Sequence, residues 1–185
     1  EICRLLGIPH AEYELALWND REGVLSPTFV PDDGRLIHGN ELLAKMHEEY
    51  EEHLTYRARQ HTLSRVVAAL KVFKPLTPMD WESSAEVADA VGVFAGYLML
   101  DALVSNQDRH HENWAIINSI EFGLRLAPTF DHASSLGRNE TDERRMERLD
   151  SNDKGRSVEH FCSRARSGFY KNVKDAKPMA TVMAF

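Results

Sequence analysis

The sequence predicts an α+β fold that is rich in helix, and three observations lead there. A long apolar stretch between Val87 and Val104 carries Val87, Val91, Phe94, Ala95, Leu98 and Ala102 at helical spacing, so it reads as one central core helix. A dense polar cluster, Ser105 to Asn113, follows it directly. Two short apolar runs come next, Asn113 to Asn118 and Phe122 to Ala127, which read as a hairpin joined through Ser119, Ile120 and Glu121 and leading to Asp131.

The remaining elements follow in chain order. Glu1 to Leu6 reads as the last turns of a helix stopped by Gly7. Tyr13 to Trp18 and Gly23 to Ser26 flank the polar turn Asn19-Asp20-Arg21-Glu22 as a second hairpin, with Phe29-Val30 extending its second strand. Pro31-Asp32-Asp33-Gly34 is a turn by composition. His38-Gly39 reads as a loop leading to a helix capped by Asn40, with Leu42, Leu43 and Met46 inward and an acidic exposed end from Glu48 to Glu52. Thr62 is the expected cap of a helix carrying Leu63, Val66, Val67 and Leu70, broken at Lys74-Pro75. Ser83 or Ser84 is the expected start of the central helix, and Asn106 its end. Glu143 to Leu149 forms a charged helical patch, and Val158, Phe161, Cys162 and Ala165 mark a further helix. The tail from Lys177 to Phe185 carries no recognisable chemistry.

Composition narrows the function classes. A hydrophobic content of 43% in 185 residues supports a full core, which excludes a disordered chain. The net charge of −7 argues against non-specific nucleic-acid binding. The basic residues between Arg138 and Arg148 are interrupted by acids and read as a solvated face. Two cysteines, Cys3 and Cys162, make neither a disulfide framework nor a zinc cluster, and the expected compartment is the cytoplasm. The longest apolar stretch is broken by Asp89 and Asp101, so no membrane span is expected.

The chemistry concentrates after the central helix. Asp108 and Asn113 have D-x-x-x-x-N spacing, which a kinase catalytic loop uses between its base and a magnesium ligand. Asp131 lies beyond the hairpin, which can return it to the same pocket. Phosphoryl transfer needs a carboxylate to accept the hydroxyl proton and hard oxygen ligands for magnesium. Asp108 suits the first role, and Asn113 with Asp131 the second. His110 and Arg109 are placed to hold the turn or neutralise charge, and Asn106 to brace the backbone around Asp108. Two other readings compete. His110 and His111 with Asp108, Asp131 or His132 suggest a zinc hydrolase, although adjacent histidines rarely point the same way. Asn, Gln and Asp in a row are also what an ordinary turn after a helix looks like.

Asn106-Gln107-Asp108-Arg109-His110 through Asn113, followed by Leu126-Ala127-Pro128-Thr129-Phe130-Asp131, resembles the HipA-like serine/threonine kinase family. Leu6-Gly7-Ile8-Pro9 resembles the end of that family's small-lobe helix. Gly23-Val24-Leu25-Ser26 resembles the strand entering its nucleotide hinge, and Leu36-Ile37-His38-Gly39-Asn40-Glu41 the helix start after it. The resemblance covers the chain to about Asp131. It implies a protein-kinase-like large lobe over residues 31–185 and a remnant of the small lobe and hinge over residues 1–30. It further implies a catalytic base at Asp108, the family histidine at His110, and metal ligands at Asn113 and Asp131. Ser26, Phe29 and Asn106 would lie toward the nucleotide. The implied cofactors are ATP and Mg²⁺, and the implied partners a protein substrate and an antitoxin or regulatory protein. A non-catalytic interaction module and a small-molecule or lipid kinase are the alternatives within this reading.

Overall fold

The computed structural model describes residues 1–82 and 86–185. Its elements are α1 (Ile2–Leu6), β1 (Glu14–Trp18), β2 (Arg21–Leu25), β3 (Arg35–His38), α2 (Gly39–Met46), α3 (Leu63–Phe73), α4 (Ala90–Val104), β4 (Ala115–Ser119), β5 (Gly123–Leu126), α5 (Asp142–Asp150), α6 (Val158–Arg164) and α7 (Thr181–Ala184). The fold class is the one the sequence predicts.

Helix α4 organises the core. Phe94, Tyr97, Leu98, Leu100 and Val104 pack with Leu42 and Leu43 of α2, Val66 and Leu70 of α3, and Trp114, Ile116, Leu126 and Phe169. The buried face differs in part from the predicted stripe. Phe94 and Leu98 point inward, but Ala95 is exposed, and Asp101 is buried instead. A helix apolar on almost every side gives periodicity little to discriminate, so the partners choose the face. The helix begins at Ala90, with the Asp89 carboxylate accepting from the Gly92 N–H at 2.8 Å. Val87 therefore precedes it, and the expected start at Ser83 or Ser84 lies outside the described residues.

The β3-β4-β5 sheet is antiparallel, with Ile37 opposite Ile116 and Ile116 opposite Leu126. Alternation splits β4 between two environments. Ile116 enters the main core, while Ala115 and Ile117 face a smaller cluster with Phe29, Val30, Leu36, Met79 and Phe130. Phe29-Val30 thus packs against this second face rather than extending a strand. The Asp33 carboxylate ties the sheet's far end. It accepts from Ser119 Oγ and from the N–H groups of Ile120 and Glu121, and those bonds, the one from Glu121 foremost, lower its pKa.

Strand β3 replaces the loop expected before α2. Two apolar residues, Leu36 and Ile37, are too short a run to show strand periodicity. His38 takes the cap position expected of Asn40, because the Glu41 carboxylate reaches back to the His38 N–H at 3.1 Å and closes a capping box. Helix α2 ends at Met46, so Glu48 to Glu52 are turn residues, and Tyr50 among them is buried. Gly39 allows a close approach here: a Cβ would lie 2.1 Å from the Trp114 ring.

The β1–β2 hairpin turns on Asn19-Asp20, both at positive φ, as a two-residue hairpin loop requires. It leaves Leu15, Leu17 and Trp18 exposed at 94%, 74% and 78%. An isolated two-stranded ribbon is marginal by itself, so this face adds little to stability as it stands. No helix among the described residues is long and apolar enough to cross a membrane.

Candidate active site

The site is built on a buried ion pair at the end of α4. Ser105, at φ 51°, reverses the chain out of the helix. Asn106 follows with no exposure, its amide donating to Asp101 Oδ1 at 2.8 Å and its carbonyl oxygen accepting the Asp108 N–H at 3.3 Å. Arg109, also without exposure, donates to both Asp101 oxygens at 2.7 and 2.8 Å. Its remaining donors reach the Asn113 carbonyl at 2.7 Å, the Phe130 carbonyl at 3.4 Å and Thr129 Oγ1 at 2.9 Å. One guanidinium thus fixes the ends of both sequence motifs beside each other. Burial works against its charge, but the facing Asp101 carboxylate outweighs that and raises the Arg109 pKa.

Asp108 sits on the loop held around this pair. Its carbonyl accepts from the His110 N–H at 2.9 Å and from the Asn113 side-chain amide at 2.6 Å. Asn113 therefore spends its NH₂ on the loop, and its Oδ1 has no hydrogen bond among the described residues. The Asp108 carboxyl is half-buried, and its pKa is raised by desolvation and further by the Asp131 charge, with His110 acting in the opposite sense. Asp131 is exposed, at φ 55°, with its N–H donated to the Tyr13 hydroxyl at 3.0 Å. Its carboxylate has no hydrogen bond or ion pair among the described residues.

His110 lies between two acids, 3.8 Å from Asp108 and 3.7 Å from Glu112. Its Nδ1 accepts the Glu112 N–H at 3.2 Å, which places the neutral ring's proton on Nε2, toward Asp108. His111 turns the other way, to the Tyr50 hydroxyl at 2.7 Å, and burial lowers its pKa to about 4. His132 accepts from Thr129 Oγ1 at 2.8 Å, and desolvation, aided by Arg109, lowers its pKa to about 4. Among the described residues no group of three His, Cys, Asp or Glu side chains is arranged to hold a metal ion, which speaks against the zinc reading.

Carboxylates and an amide oxygen are the donor types that a hard cation takes, with the rest of its ligands from water and phosphate. Asp108, Asn113, Asp131 and His110 are all brought to this region. Asn106 is not on its surface: it is interior and braces the loop. Ser26 is exposed, donating to the Glu12 carbonyl at 2.8 Å, while Phe29 lies tilted against Phe130 with 5.7 Å between ring centres. Sequence reasoning missed Asp101 as the partner of Arg109. A lone acid on an otherwise apolar helix, eight residues before an arginine, was the available signal.

No protein-family model matches the chain, and no curated protein matches it in sequence. Its fold is similar to that of a proinflammatory kinase, CtkA, from Helicobacter pylori, whose crystal structure matches with a TM-score of 0.65 at 19% identity over 96% of this chain. The chain spans 58% of that kinase's length. The fold is kinase-like.

Proposed function

We propose that this chain is the catalytic part of an ATP- and Mg²⁺-dependent phosphotransferase, a serine/threonine protein kinase of HipA-like type, acting in the cytoplasm. The observation that supports the reading is that Arg109 binds the carbonyls of Asn113 and of Phe130, the residue before Asp131, while the Asn113 amide donates to the Asp108 carbonyl. Residues 31–185 serve as the large lobe, and residues 1–30 as the hinge and part of the small lobe, with Ser26 and Phe29 toward the nucleotide.

In the reaction, the acceptor hydroxyl oxygen bonds to the γ-phosphorus as the bond to the β-phosphate oxygen breaks, and ADP leaves. Asp108 takes the hydroxyl proton, and the desolvation that raises its pKa makes it a better proton acceptor. Asn113 Oδ1 and Asp131 would hold Mg²⁺, which neutralises phosphate charge when bound. His110, its Nε2–H toward Asp108, orients the base. Arg109 acts through the backbone and touches no substrate. An antitoxin or other regulatory protein is the proposed partner.

Asp108→Ala in the full-length protein tests this. Transfer of the γ-phosphoryl to a protein serine or threonine, read by mass spectrometry, is expected to disappear while ATP binding persists. Unchanged transfer would remove Asp108 from the role.

A further inference from the structure

Asp108 also forms part of the wall of a cavity of about 240 Å³, closed by residues 55–61 and 166–170. The two stretches are far apart in sequence and are locked together. Tyr170 N–H donates to the His61 carbonyl at 2.9 Å, and His61 Nδ1 donates to the Gly168 carbonyl at 3.0 Å. Trp114 Nε1 donates to His61 Nε2 at 3.2 Å, and burial holds that imidazole neutral. Gly168 presses on the loop itself, since a Cβ there would lie 2.3 Å from the Arg109 carbonyl oxygen. The cavity is therefore fixed to the segment that carries Asp108.

Two cations line it, Arg57 and Arg166. Among the described residues Arg57 has no hydrogen bond or ion pair, and Arg166 has one bond, 3.4 Å to the Pro178 carbonyl. Among the described residues neither forms an ion pair, although Asp108 shares the cavity and the net charge is −7. Arg57 also holds φ at 64°, a conformation unfavourable for a residue with a side chain. Glycine would relieve that strain, and an arginine stands there. Tyr56, 66% exposed, sets its ring edge-on to His110 at 5.6 Å and forms a further wall. Asn113 and Asp131 are not among the residues that line this cavity, whereas Asp108 is.

We propose that this cavity is the acceptor groove, and that the acceptor is a serine- or threonine-bearing peptide with acidic side chains beside the hydroxyl. The hydroxyl meets Asp108, and the acidic flank pairs with Arg57 and Arg166. Charge-assisted hydrogen bonds from guanidinium to carboxylate supply the selectivity. The inference rests on Asp108 being the base.

The test is fluorescence anisotropy of dye-labelled peptides on the full-length protein without nucleotide. Each peptide carries one serine, flanked by Asp and Glu, by Lys or by Ala. The acidic peptide is expected to bind about tenfold tighter than the others, the change that one charge-assisted bond of about 1.4 kcal/mol gives. Arg57→Gln and Arg166→Gln should each remove part of that margin, and the double variant Arg57→Gln/Arg166→Gln all of it. The double variant Arg57→Glu/Arg166→Glu should turn the preference toward the Lys peptide, a gain that a misfolded protein cannot show. Equal binding of the three peptides, no binding by any, or an acidic preference that survives both charge reversals overturns the inference. Because no nucleotide is present, failure of Mg·ATP binding would sink the kinase reading while leaving this result standing. A protein that transfers phosphate without charge preference would sink the groove assignment alone.

Discussion

Replacing Asp101 by Asn keeps the side chain's shape and removes the carboxylate that faces Arg109. Both groups are essentially without solvent contact, with donor–acceptor distances of 2.7 and 2.8 Å. Breaking a buried pair from one side leaves a desolvated charge, at a cost of about 3–5 kcal/mol. The total stability of a domain is about 5–15 kcal/mol, so the loss is a large share of it. With a urea m-value of about 2 kcal/mol/M, the unfolding midpoint should fall by roughly 2 M. Arg109→Met should cost at least as much, because it orphans the carbonyls of Asn113 and Phe130 as well as Asp101. A double-mutant cycle then isolates the pair. Asp101→Asn/Arg109→Met should be about 2–3 kcal/mol less damaging than the two single losses summed. Additive losses, or a shift below about 0.5 M for Asp101→Asn, would refute the claim that this ion pair holds the two motifs together.

Other consequences follow from the same contacts. Gly168→Ala forces a Cβ onto the Arg109 backbone, so calorimetric melting should show a loss of about 1–3 kcal/mol, whereas an unchanged melting temperature would mean the loop yields freely. His61 is buried neutral, its pKa lowered by desolvation from 6.5 to about 3. The unfolded chain binds the proton first, so stability is full above about pH 6.5 and falls as pH drops toward the folded value, by about 2 kcal/mol at pH 5. Urea midpoints at pH 7.5 and 5.0 should therefore differ less in His61→Gln than in the wild type, and equal differences would remove His61 from that role. Gly39→Ala, pushed against the Trp114 ring, should also lower the melting temperature.

Much of the candidate site was legible because polar residues crowd directly after an apolar helix. Asp108, Asn113 and Asp131 stand out by spacing, and in the structure the Asn113 amide donates to the Asp108 carbonyl while the Asp131 charge acts on the Asp108 carboxyl. The framework behind them was less visible. Asp101 reads as a break in an apolar run, yet it is buried because Arg109 folds back onto it. Asn106 looked available to a nucleotide, but its hydrogen bonds to Asp101 and Asp108 take it inside. Tyr50 stands in an acidic, exposed-looking run and is drawn in by His111. The central helix starts at Ala90 because Asp89 caps it there, a choice among several cap residues that local sequence leaves open. The cavity beside Asp108 depends on residues 57 and 166, which only tertiary pairing through His61 brings to one place. Local patterns are set by neighbours in sequence, while buried polar partners are set by the fold.

The most direct test of the phosphotransferase reading is calorimetric titration of ATP into the full-length protein, with and without Mg²⁺, in the wild type and in Asp131→Ala. Asp131 is exposed and its carboxylate supports no other contact among the described residues, so the variant should remain folded. Metal-dependent binding in the wild type, lost or strongly weakened in Asp131→Ala, is the expected result. A folded wild type that binds no Mg·ATP, or a variant that binds it equally well, would contradict the account.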